Sequence, residues 1–359
     1  MRDILPTIEQ WIQDDAEQPF ALATVLQTWG SAPRRAGASM AVRFDETGEL
    51  LIAGSVSGGC IENFVIEESE AVLTTGTPTT MTFSVADETA WSVGLSCGGT
   101  VKVLIEPHIA FHLHEQEQAV WQAYRQALES RTPCAMLTRL SAEQFGHCLV
   151  FSDGRTVGTL NGAGQEFLEE VQTTALALLA KGSSAEVVVC GEPVFVHTFP
   201  LPPKLVIVGA AHITLHLVRL AKELDFDVVV IDPRGVFAHS ERFAGTQPDM
   251  LLEQWPNEAL PMLGLDGATC QNTFIVTLTH DPKIDDDALK IVLNKPVRYI
   301  GALGSRKTHE KRCERLREAG FTDEQLSRIH APVGLNIHAE TPAEIALSIV
   351  AEIVHVMRS

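Results

Sequence analysis

A thiol set among glycine and serine, Ser57-Gly-Gly-Cys60-Ile-Glu62, stands where a turn opens into a helix. Free N–H groups at a helix start lower a thiol pKa and favour thiolate, the form that attacks carbon or sulfur and ligates soft metals. Glu62, two residues on, reads as a general base or as a helix-start charge. A reciprocal turn, Ser96-Cys97-Gly98-Gly99, offers a second thiol. If Cys60 and Cys97 meet in space they form a soft-metal or sulfur-handling pair. As isolated buried side chains they would be small hydrophobes. Cys134, Cys148, Cys190, Cys270 and Cys313 read in that second way.

A different chemistry is signalled further along. Gly209-Ala-Ala-His212 falls between a strand and a helix, where a dinucleotide fingerprint would sit, but it keeps one glycine of three. The position that lets a backbone approach a pyrophosphate is Ala211. Asp232 ends the next strand, at the place of a ribose-binding carboxylate or of a structural cap, and Arg234 and His239 follow as anion contacts. The stretch Tyr299-Ile-Gly301-Ala-Leu-Gly304-Ser305-Arg306-Lys307 reads as a strand, a glycine turn and a helix start with two cations. Such a turn is a natural phosphate seat or, in the plainer reading, a solvated basic helix. Arg34 and Arg35 lie in a loop with Gly30, Pro33 and Gly37 and could hold an anion.

The elements that must position these residues follow from periodicity. Residues 3–18 read as an amphipathic helix and 20–26 as a buried strand. Strands follow at 38–44, 50–53, 79–84 and 100–106, with a helix from 61 to about 73. Residues 115–128 and 165–180 read as helices, with strands from 133 and over 185–197 and a hairpin at Ser152-Asp-Gly154. Pro200-Leu-Pro-Pro203 then breaks the pattern. Beyond it, all-apolar strands alternate with helices (204–208, 227–231, 273–277, 297–300 and a last helix over 341–357). That alternation predicts a doubly wound parallel sheet. The expected fold class is therefore α/β: an N-terminal α+β domain over 1–199 and a Rossmann-like domain over 200–359. Residues 108–199 form a candidate subdomain, and no internal repeat is visible.

Composition narrows the classes. The chain has 359 residues, with 27 Lys and Arg against 46 Asp and Glu, a net charge of −19. A chain this acidic is a poor ligand for nucleic acid or anionic membranes. No apolar run reaches the ~18 residues of a membrane span, and the opening residues lack the apolar core of a signal peptide. Scattered cysteines, odd in number, suit a reducing, cytoplasmic location. No Cys-x-x-Cys or His-Glu-x-x-His occurs.

Taken in order, the motifs resemble the XdhC/CoxI family, accessory proteins of xanthine dehydrogenase and related molybdenum hydroxylases. They are Gly30-Ser-Ala-Pro-Arg34, Gly54-Ser-Val-Ser-Gly-Gly-Cys-Ile-Glu62, Leu95-Ser-Cys-Gly-Gly99, Val208-Gly-Ala-Ala-His212, Val230-Ile-Asp-Pro-Arg234, Thr279-His-Asp281, Tyr299 to Arg306, and Gly334-Leu-Asn-Ile with Ala339-Glu-Thr-Pro342. The resemblance implies an XdhC/CoxI-type N-terminal domain and a maturation factor without turnover. Such a protein binds and shields the molybdenum cofactor (molybdopterin or its dinucleotide form). It supports sulfuration with a cysteine desulfurase and passes the cofactor to an apo-hydroxylase of xanthine dehydrogenase type. Cys60, with Cys97, becomes the candidate contact to molybdenum or its sulfur. Arg34, Gly209, His212, Asp232, Arg234, Gly301, Gly304, Ser305 and Arg306 become candidates for the pterin phosphate or nucleotide. The family pattern has glycine where Ala211 stands. An interdomain cleft would bring the two ends together, and a homodimer is the expected assembly. Two other classes remain: an NAD(P)-dependent oxidoreductase built on Gly209 and Asp232, and a sulfur-transfer or metal-dependent enzyme built on Cys60 and Cys97.

Overall fold

The computed structural model describes residues 1–15, 17–30, 34–83, 99–108, 115–235, 240–243, 245–265 and 267–359. The chain forms two compact units, Met1–Leu201 and Pro202–Ser359. The division falls inside the proline run, which can extend neither a helix nor a sheet.

The first unit opens with α1 (Leu5–Asp14), β1 (Phe20–Trp29), β2 (Ser39–Phe44), β3 (Leu50–Gly54), α2 (Glu62–Thr75), β4 (Thr79–Phe83) and β5 (Thr100–Pro107). It continues with α3 (Glu115–Glu129), β6 (Cys134–Arg139), β7 (Gly146–Phe151), β8 (Thr156–Val157), α4 (Gln165–Lys181), β9 (Ala185–Val189) and β10 (Glu192–Phe199). The strands form two antiparallel sheets, ordered β3-β2-β1-β5-β4 and β8-β7-β6-β10-β9. Adding five to each strand of the first order gives the second. Each sheet is preceded by a helix and receives another helix between its third and fourth strands.

This is an internal repeat, which is not visible in the sequence pattern. Its marks are backbone marks. Gly54 and Gly158, each at the end of the third strand of its copy or just after it, have φ of 83° and 79°. Gly76 and Gly182 end the following helices in left-handed caps with φ of 67° and 63°. Val56 and Leu160 are the buried residues of the matching loops. The repeat is hidden in the sequence because the core exchanges one apolar side chain for another, which packing tolerates at conserved volume.

The two copies share a core. Ile4 and, from the first helix, Leu5, Ile8 and Trp11 pack with Trp121, Tyr124 and Leu128 of α3 and with residues of both sheets. On the outer faces α2 covers the first sheet through Val65 and Val72, and α4 covers the second through Phe167, Val171 and Ala175. Among the described residues, two ion pairs cross between the sheets. Lys102 meets Glu186 at 2.7 Å, and Glu106 lies 2.9 Å from His147 Nε2. His147 Nδ1 is 2.9 Å from Glu117, so one buried imidazole stands between two buried carboxylates.

The second unit runs β11 (Lys204–Val208), α5 (His212–Glu223), β12 (Asp227–Ile231), β13 (Met250–Leu252), α6 (Pro256–Met262), β14 (Thr273–Thr277), α7 (Pro282–Val292), β15 (Tyr299–Ala302), α8 (Arg306–Glu318), α9 (Asp323–Leu326), β16 (Ile329–His330) and α10 (Pro342–Arg358). Its sheet is parallel throughout, in the order β13-β12-β11-β14-β15-β16. This is the dinucleotide-fold order, with its switch point between β11 and β14. Both faces are covered, by α6, α7 and α8 through Leu260, Leu289 and Leu316 and by α5 and α10 through Leu217 and Ile349. That coverage is why these strands are apolar without alternation.

Burial pulls the His147 pKa down, but Glu106 and Glu117 raise it to about 10. A raised histidine stabilises the fold fully below its unfolded pKa of about 6.5, and the contribution is lost as pH rises through about 10. Urea midpoints of wild type should therefore fall between those pH values relative to His147→Gln. The variant itself should lose about 3 kcal/mol at neutral pH, because it strands two buried carboxylates. Parallel pH profiles for the two proteins would contradict this account.

Candidate functional site

The thiol loop is built around one carboxylate. Glu62, the first residue of α2, folds back into the preceding turn. Its oxygens accept from Ser55 Oγ at 2.7 Å, Ser57 N at 2.9 Å, Ser57 Oγ at 2.5 Å, Gly58 N at 3.0 Å and Gly59 N at 2.9 Å. Ser57 Oγ in turn accepts from Cys60 N and Ile61 N at 2.9 and 3.0 Å. Glycine at 58 and 59 supplies positive φ (84° and 115°), so that consecutive N–H groups converge on one anion. The helix begins at Glu62, after Cys60, and Cys60 is half-buried beside it.

This arrangement favours the helix-start reading of Glu62 over the general base. Burial raises its pKa, but the Ser55 and Ser57 hydroxyls and the loop N–H groups pull it to about 2. A carboxylate so engaged is too weakly basic to take a proton readily near neutral pH, and its lone pairs serve as a clamp on the loop. The second copy has no such clamp: the matching loop lacks a thiol, and Glu166 is exposed. Cys97 and His239 lie outside the described residues, as do residues 31–33 of the arginine loop. Arg34 is exposed at the edge of that loop.

The second unit gathers its motifs by topology. Parallel strands end on one edge, and Gly209, Asp232, Thr279 and Gly304 follow β11, β12, β14 and β15 there. Gly209 has φ of 111°, and a Cβ would stand 2.6 Å from Thr279 Cγ2. The single glycine kept from the fingerprint is thus demanded by packing across the switch point. Asp232 is fully buried. It accepts from Ala210 N at 2.7 Å and from Arg234 N, Nε and Nη2 at 2.9, 2.9 and 2.8 Å. Burial pushes Asp232 up, yet Arg234 and the Ala210 N–H hold it below the usual carboxylate range. The carboxylate that would grip a ribose grips its own turn.

The remaining candidates separate. His212 is exposed at the first turn of α5, with its ring 5.4 Å from that of His216. Ser305 caps α8 by accepting from Thr308 N at 3.2 Å, and Arg306 and Lys307 are exposed at a first turn that holds no acid. Gly304 makes the turn with φ of 134°. Gly301 does not belong to that turn. It is a buried residue of β15, where a Cβ would sit 2.6 Å from Val333 Cγ2 and 2.8 Å from the Tyr299 ring. Sequence reasoning passes over Arg242, which donates to the Ala210 carbonyl at 2.7 Å. It also passes over the buried pair Asp285 and Arg312. Asp285 takes the Thr279 hydroxyl at 2.7 Å, and Arg312 donates to the Leu303 carbonyl at 2.8 Å. These are long-range partners with no local signature.

Comparison with known proteins identifies the family. The XdhC and CoxI family profile matches residues 14–84, and the XdhC Rossmann domain profile matches 205–353. The chain belongs to the XdhC/CoxI family. A Bacillus subtilis protein described as a probable xanthine dehydrogenase component is 27% identical over 94% of this chain and 93% of its own length. The molybdenum cofactor insertion chaperone PaoD of Escherichia coli K12 is 25% identical over 93% of this chain and 82% of its own. A solved structure described as a xanthine dehydrogenase, from Bacillus halodurans, superposes with a TM-score of 0.74 over 99% of this chain and 95% of that one, at 24% identity. That likeness shows a shared fold. No helix among the described residues is long and apolar enough to cross a membrane.

Two substitutions test the local arguments. Glu62→Ala removes a negative charge beside Cys60 and frees the loop N–H groups, so alkylation of Cys60, followed by peptide mass, should speed up several-fold. An unchanged or slower rate would remove the clamp from the account. Gly209→Ala should destabilise the protein by about 2 kcal/mol or more through backbone strain and the Thr279 contact, measured as a shift in the urea midpoint.

Proposed function

We propose that this protein carries the molybdenum cofactor during maturation of a hydroxylase of the xanthine dehydrogenase type. It binds the cofactor as cargo, shields it, supports its sulfuration by a cysteine desulfurase and hands it to the apo-enzyme. The observation that carries the reading is the alignment to the insertion chaperone PaoD, which runs through both units of the chain.

Each unit, taken by itself, offers groups that suit part of such cargo. Molybdopterin combines a soft, sulfur-bound metal with a phosphate ester. Cys60 offers a half-buried thiol on a loop whose shape is fixed by Glu62, so little ordering entropy is lost when the thiol engages. Cys97 and Arg34 are further candidates for contact with the cofactor. The N–H groups of the thiol loop already hold the Glu62 carboxylate, so the phosphate belongs elsewhere. The turn Gly304-Ser305-Arg306, with Lys307, offers a helix start and two exposed cations. His212 and the Gly209 turn border the same sheet edge, and Arg234 shares it. The Asp232 oxygens are engaged within the protein, which argues against NAD(P) as the natural ligand.

Anaerobic titration with molybdenum cofactor tests the proposal, with bound pterin read by fluorescence of its oxidised product. Wild type should bind stoichiometrically, and Cys60→Ala should bind about tenfold more weakly, about 1.4 kcal/mol. Binding by neither protein, together with saturable NAD(P) binding, would replace the carrier with an oxidoreductase. Equal binding by both would keep the carrier and remove Cys60 from the contact.

A further inference from the structure

Between the two sheets of the first unit lies a cavity of about 30 Å³, room for about two waters. It is framed by matching rungs of the two copies. In the first sheet Leu22 pairs with Glu106 and Thr24 with Leu104. In the second, Met136 pairs with His197 and Thr138 with Phe195. The same two positions of the first and last-paired strands face the cavity in each copy. It therefore sits where the pseudo-symmetric halves meet, and the thiol-loop residues 55–62 are not among those that line it.

The polar groups on this cavity are unusual. Thr24, Thr138 and Glu106 are 5%, 4% and 4% exposed. Among the described residues neither threonine hydroxyl has a hydrogen-bond partner. Glu106 Oε2 lies 2.9 Å from His147 Nε2 and has no other polar partner among the described residues. His147 also serves Glu117 through its other nitrogen, so Glu106 has only a share of one imidazolium. Arg2 and the N-terminal ammonium act on Tyr124 and His197 through their charge, and the hydrogen bonds described for them go to the Pro200 carbonyl and Asp3. Buried polar groups without partners are costly, and an incompletely compensated buried charge more so. A carboxylate and two hydroxyl oxygens are the acceptor set of a small, weakly hydrated cation.

We propose that this cavity binds one small monovalent cation, ammonium or potassium, between the Glu106 carboxylate and the hydroxyls of Thr24 and Thr138. The ion gives Glu106 Oε2 and the two hydroxyls a partner and ties the two copies of the repeat together. The proposal is independent of the cofactor reading and concerns different residues.

Thermal unfolding of the full chain in chlorides of ammonium, potassium and tetramethylammonium, at matched ionic strength, tests it. Ammonium or potassium should raise Tm saturably over tetramethylammonium, which is too large for the cavity, as a ligand of the native state must. A rise with ammonium alone identifies that ion, and a rise with both identifies a site open to either. The Thr24→Val, Thr138→Val double variant should lose the rise. Equal Tm in all three salts, or a rise that survives in the double variant, would overturn the proposal. If the variant fails to fold, crystals of the wild type soaked in thallium(I) decide the matter. An anomalous peak in the cavity supports the site, and ordered water alone refutes it.

Discussion

In each unit the candidate turn is held by a carboxylate of the chain itself. Glu62 fills the ring of N–H groups made by Ser57, Gly58 and Gly59, and Asp232 fills the space between Ala210 and Arg234. Turns that expose several N–H groups are anion sites by construction. When the anion is internal, the loop becomes rigid and stops competing for external phosphate. What the loop still offers is whatever it positions: a thiol in the first unit, and the packed approach of Gly209 to Thr279 in the second. The candidate chemistry is thus carried by the residues beside these clamps.

The repeat in the first unit explains why that rigidity sits on one side only. Two copies of one topology pack face to face and share a core through α1 and α3. The first copy has the serine, the glycine pair and the thiol at its third-strand loop. The second keeps the backbone geometry, with Gly158 left-handed as Gly54 is, but not the chemistry. Divergence also runs through the shared interior, where Glu106 of one copy matches His197 of the other across equivalent rungs. A symmetric scaffold has acquired an asymmetric polar centre, held by His147.

The second unit has the strand order of a dinucleotide fold but has turned its key carboxylate inward. Fold and ligand are separable for this reason: the order of parallel strands fixes where a site lies, and side chains at the strand ends fix what it takes. Here the edge offers a capped helix start with exposed Arg306 and Lys307. It also has a buried Asp285 and Arg312 that support it from below.

By itself the sequence determined the local and periodic features. The apolar runs at 204–208, 227–231 and 273–277 state a parallel sheet, since only strands covered on both faces lose their alternation. The proline run marks the division of the chain, and the glycine-rich turns mark the candidate site residues. The short edge strand Met250–Leu252 was not legible, because three residues carry no periodicity. Only the tertiary structure decided what depends on contacts between distant residues. It revealed the repeat, whose signal lies in topology and backbone angles. It placed Gly301 inside a strand, because Tyr299 and Val333 occupy the space of its side chain. It gave Glu62 and Asp232 their partners and brought Glu106, Glu117 and His147 together from separate elements. A carboxylate reads the same in sequence whether it waits for a ligand or clamps its own turn. The difference is which donors reach it, and that is fixed only when the chain has folded.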